Sequence, residues 1–176
     1  MDMVDLIQEK RFLGQEFLTW LWFQSDVNSG LVDLKDPGPV EIWFEERIML
    51  ESGSGNALQT VTCQGKDLDL AEARTALREG KRVSQAKIKL TADGNDWRFS
   101  IKADGLDLSG VKAPKTLDMD EEEPDSLAGR LLDRLAVMRE LTRYVDALFA
   151  RFMSIRLSEE WQAEEIPRIR KWLKEN

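Results

Sequence analysis

The sequence predicts an α+β fold: a small antiparallel sheet packed against an N-terminal helix and a long C-terminal helix. Two stretches, 85–91 and 96–102, alternate apolar and polar residues and are joined by Ala92-Asp93-Gly94-Asn95, the pattern of a β-hairpin. Two others, 4–24 and 127–157, repeat apolar residues at helical spacing. A chain of 176 residues, 42% of them hydrophobic and 33% charged, has enough apolar surface for one ordinary core.

Leu6, Ile7, Phe12, Leu13, Phe17, Trp20 and Leu21 define the first helix. Trp22 and Phe23 widen its apolar surface nearly all round, so it requires burial on several sides. Gly30 and the DPGP segment 36–39 break the chain. Residues 40–50 (VEIWFEERIML) read as a strand with Val40, Ile42 and Phe44 on one face. Trp43 falls on the other face with Glu41 and Glu45, either covered by another element or exposed. Residues 52–56 (SGSGN) form a turn or loop, and Leu58 to Cys63 a second strand rich in Thr and Val.

A short helix opens at Asp69, with Glu72 three residues on in the manner of a capping box, and Gly80 stops it. Leu70, Ala73 and Leu77 form its inner face. The hairpin then sends Ala86, Ile88, Leu90, Trp97, Phe99 and Ile101 to one face. The other face takes Gln85, Lys87, Lys89, Arg98, Ser100 and Lys102. Leu106, Leu108 and Val111 add a further edge strand.

Residues 118–125 (DMDEEEPD) hold six acids and no base, which reads as a solvated linker. The run divides an α+β domain, 1–117, from a helical segment, 126–176, that packs on the domain or on a partner. In that segment Leu127, Leu131, Leu135, Met138, Leu141, Val145, Leu148, Phe149 and Phe152 fall within one arc of about 140° on a helical wheel. The stripe needs a covering surface: the sheet, the first helix or a second copy of the chain. Ser158, Glu159 and Glu160 start a last helix by the cap and dipole rules, and Pro167 restarts or kinks it.

Composition narrows the chemistry. The absence of histidine excludes a Ser-His-Asp triad, a Cys-His pair and any histidine-containing metal site. Cys63 is the one cysteine, so an intrachain disulfide and a thiolate zinc or iron–sulfur site are excluded, and a reducing, cytoplasmic setting is expected. The glycines of 52–56 lack the Lys-Ser/Thr pair of a phosphate-binding loop. No strand carries the Asp…Glu-x-Lys arrangement of a metal-dependent nuclease. The expectation is a protein that is not an enzyme and takes no cofactor. No apolar run approaches the roughly 18 residues of a membrane span, and the opening MDMVDLIQEK carries acids where a signal peptide carries bases.

The net charge is −8, unevenly placed. Residues 1–65 carry 4 bases and 11 acids, whereas residues 66–117 carry 11 bases and 8 acids. Lys87, Lys89, Arg98 and Lys102 share the polar face of the hairpin, where Asp96 is the hairpin's own acid. Arg74, Arg78, Lys81 and Arg82 lie on the preceding helix and its exit, with Arg74 and Arg78 one turn apart. These eight residues are the candidate contacts to the phosphates of DNA, with binding that weakens as salt rises. The same pattern also fits a solvated sheet face with no ligand. Six tryptophans allow stacking on bases, although most sit at positions of the core pattern.

Residues 61–114, VTCQGKDLDLAEARTALREGKRVSQAKIKLTADGNDWRFSIKADGLDLSGVKAP, resemble the C-terminal half of the recombination-associated RdgC family. The shared features are a strand, a Lys-Asp-Leu segment opening a short helix, a Gly-Lys-Arg-Val exit and two alternating strands ending in a Leu-rich piece. FLTWLWF and EIWFEERIML look like the family's lead-in, so that the likeness spans residues 12–115. The resemblance implies a bacterial, nucleoid-associated, non-enzymatic protein. Members of that family bind double-stranded DNA with little sequence preference, form ring-shaped dimers and restrain RecA-promoted strand exchange. It assigns no individual DNA contact in this chain. The alternative is a protein-interaction or oligomerisation module without DNA binding, with a homodimer as the expected form.

Overall fold

A computed structural model describes residues 3–53, 57–64, 71–112, 114 and 127–175. The acidic run 118–125, and Asp69 and Leu70 at the expected start of the short helix, lie outside the described residues. The fold is α+β, with helices α1 (Met3–Val27), α2 (Ala71–Arg78), α3 (Leu127–Arg156) and α4 (Ile166–Glu175). The strands are β1 (Leu31–Val32), β2 (Val40–Ser52), β3 (Gln59–Gln64), β4 (Arg82–Ala92), β5 (Asn95–Lys102) and β6 (Leu108–Lys112). All described pairings are antiparallel, in the order β1-β2-β4-β5-β6, with β3 also paired to β2. β2 is long enough to take two partners in turn, with β1 against its first residues and β3 against its last.

The hairpin forms as its sequence dictates. Ala92 pairs with Asn95, leaving Asp93 and Gly94 as a two-residue loop, both with positive φ (49° and 77°). That is the type I′ turn whose twist matches the flanking strands, and glycine takes its second position without strain. The short helix stops where Gly80 predicts. Lys81 N–H donates to the Ala76 carbonyl and Gly80 N–H to the Leu77 carbonyl, the two bonds of a Schellman motif.

The inner face of the sheet is covered by helices. Phe17 and Leu21 of α1 meet Ile42, Ile88, Leu90, Phe99 and Ile101, and α3 adds Val145 and Leu148 around an apolar void of only about 10 Å³. Phe17, Leu18 and Trp20 to Phe23 are all buried, the all-round burial that their density requires. Phe149 and Phe152 of α3 close on Phe17 at 5.2 and 5.6 Å between ring centres, and Trp172 of α4 closes on Trp22 at 5.3 Å. Buried residues of α3 and α4 therefore belong to the same core as the sheet. Among the described residues no helix is long and apolar enough to cross a membrane.

The stripe on α3 divides in two. Leu141, Tyr144, Val145, Leu148, Phe152 and Ile155 are buried, whereas Leu131, Leu132 and Leu135 are 53%, 66% and 63% exposed. The sheet and α1 thus cover only the second half of the helix. Ser158 also departs from expectation. Its hydroxyl donates backward to the Ile155 carbonyl instead of capping a new helix, and a π-helical turn, Trp161–Glu165, leads into α4. Pro167 is the second residue of α4, directly after the π-helical turn.

Candidate nucleic-acid interface

Side chains alternate across each strand, so burial of one face fixes the other. With Ile88, Leu90, Trp97 and Phe99 inside, Lys87, Lys89 and Arg98 point outward. The register then assembles a row that no single segment reveals. Trp43 of β2 pairs with Lys89, Lys89 with Arg98, and Arg98 with Lys112 of β6. At about 4.8 Å per strand the row spans roughly 14 Å. Lys87 lies opposite Ser100, and Lys102 opposite Gln85, in parallel rows of the same face. Arg82 pairs with Glu51 at the far end of β4.

The face carries more acid than the hairpin sequence alone suggests, a correction supplied by β2. Glu45 receives the Arg98 guanidinium at 3.2 Å, and Asp96 receives Lys89 at 3.1 Å. Glu41 and Glu51 stand on the same side, opposite Thr91 and Arg82. Asp96 also accepts a hydrogen bond from Thr91 Oγ1 at 2.7 Å. That bond, followed by the Lys89 ammonium, holds the Asp96 carboxyl below its ordinary pKa. The side chains of Lys102 and Lys112 are exposed and make no hydrogen bond or ion pair among the described residues. Exposed pairs such as Arg98–Glu45 are worth about 0–1 kcal/mol, so an arriving phosphate can displace the carboxylate.

The arginines of α2 go elsewhere. Arg74 and Arg78 do project together, but toward α4 in the helical layer. Arg74 forms an ion pair with Asp26 and lies 5.6 Å from the Trp172 ring centre, and Arg78 Nε donates to the Leu173 carbonyl. Asp26 also accepts from Trp172 Nε1 at 2.9 Å, which ties α1, α2 and α4 together. Lys81 reaches Glu79 at 4.0 Å. Of the eight expected residues, then, Lys87, Lys89, Arg98, Lys102 and Arg82 share the outer sheet face, Arg74 and Arg78 turn toward α4, and Lys81 pairs with Glu79 in the turn between α2 and β4.

Lys112 and Glu45 were missed because they enter through pairing between segments distant in sequence. Cys63 is buried in β3, and burial, with the nearby Glu72 charge second, raises its thiol pKa. Among the described residues no group of three Cys, Asp or Glu side chains is placed to hold a metal ion. No protein-family model matches the chain, and no curated protein sequence matches it.

Proposed function

We propose that the outer face of the sheet binds the backbone phosphates of double-stranded DNA without sequence preference, in a non-enzymatic regulator of recombination of the RdgC type. The row Lys89–Arg98–Lys112, flanked by Lys87 and Lys102 on the outer face of the sheet, is the observation that carries the reading. Phosphate contacts position a protein on DNA and carry no base information, which suits a face of lysines and arginines. The net charge of −8 limits the attraction to short range, because charges are screened over about 8 Å in physiological salt.

The test is a salt titration of the purified chain on duplex DNA. About four phosphate contacts predict a roughly hundredfold loss of affinity between 50 mM and 200 mM salt. Reversing Lys87, Lys89, Arg98 and Lys102 to Glu abolishes binding, and Glu45→Gln, which releases Arg98, strengthens it. Affinity indifferent to salt and to both changes sinks the reading.

A second reading is favoured by the exposed Leu131, Leu132 and Leu135. They form the kind of uncovered apolar surface that a homodimer contact would use. It predicts a dimer mass by light scattering, and a monomer mass counts against it.

A further inference from the structure

We infer that the same face takes single-stranded nucleic acid in preference to duplex, with Trp43 as the platform on which an unpaired base stacks. The inference rests on the phosphate-binding reading above and adds to it a residue and a substrate class. Five of the six tryptophans are at most 4% exposed, whereas Trp43 is 39% exposed. It stands on the outer face at the head of the row, directly paired to Lys89, with Arg98 and Lys112 beyond. Its ring lies against the backbone of Gly30. A Cβ added at Gly30 would come within 3.0 Å of the indole, so the bare backbone of Gly30 is what lets the ring rest there. An aromatic side chain already in contact on one side loses less freedom when a ligand covers it.

Cations alone cannot tell a single strand from a duplex, because both present phosphates. An indole on a sheet surface can. In a duplex the faces of the bases are occupied by their neighbours, and only an unpaired base offers a free face. A strand crossing β2, β4, β5 and β6 would set one base on Trp43 and carry its phosphates along Lys89, Arg98 and Lys112. Glu45 and Asp96, now paired with Arg98 and Lys89, would give way to the phosphates.

The experiment titrates the full chain with an oligothymidylate and with a duplex of equal length at one low salt concentration, reading tryptophan emission and affinity together. Because the other five indoles are buried, quenching reports on Trp43. The expected result is quenching by the single strand, tighter binding of it than of duplex, and a roughly tenfold loss for single strand in Trp43→Ala. Duplex affinity is unchanged in that variant, and Trp43→Phe retains most of the single-strand affinity. If both DNA forms bind but neither quenching nor the Trp43→Ala loss is seen, the stacking inference is overturned and the phosphate reading stands. If neither form binds, both fall.

Discussion

The two halves of α3 carry the same kind of sequence and meet opposite fates. Leu135 and Leu148 belong to one stripe on a helical wheel, yet Leu135 is 63% exposed and Leu148 is 2% exposed. The difference lies in what faces them. From Val137 onward the helix buries side chains in the core it shares with α1 and the sheet, whereas Leu131, Leu132 and Leu135 before it stay exposed. An apolar stripe records that a helix has a sticky side. It does not record how far the surface that satisfies that side extends.

Three substitutions sharpen the contrast. Leu148→Ala removes a side chain packed against the sheet and α1, and is expected to cost about 2–5 kcal/mol in chemical denaturation. Leu148 is therefore unsuited to probing an interface between copies, since its loss weakens the subunit itself. Tyr144→Phe deletes the 2.9 Å hydrogen bond that clasps Asp93 at the hairpin tip, a loss of about 1 kcal/mol. Burial, and then that bond, push the Tyr144 phenol up to about 12 from its ordinary 10. Its contribution is complete below pH 10 and is lost as pH rises from 10 to 12, so denaturation across that window is shallower in Tyr144→Phe. Leu135→Ser is expected to change monomer stability by less than about 0.5 kcal/mol. Its effect belongs to the mass in light scattering, and a dimer that survives the change together with Leu131→Ser removes the second reading.

The parts legible in the sequence were those decided by neighbours along the chain. The hairpin is specified by a period of two and an Asp-Gly turn, the stop at Gly80 by glycine itself, and the burial of Phe17 to Phe23 by their density. The parts not legible depend on pairing across distance. Nothing in 85–102 announces that Glu45 will neutralise Arg98, or that Lys112 will extend its row, because both arrive on other strands. Arg74 and Arg78 show the same limit. Their one-turn spacing does place them side by side, but which layer they enter is decided by Asp26 and the Leu173 carbonyl at the two ends of the chain. Ser158 had the residue type of a cap and used its hydroxyl on the preceding turn instead.

The ties between α1 and the chain's last helices have a consequence for biosynthesis. Arg156 reaches Glu16 across 140 positions, and Trp172 reaches Asp26 across 146. On the ribosome, the greasiest stretch of this polypeptide emerges well before the helices that cover it. Throughout that interval FLTWLWF can shelter only against the nascent sheet, so slow elongation or premature termination upstream of Leu141 leaves it partly bare and prone to clumping.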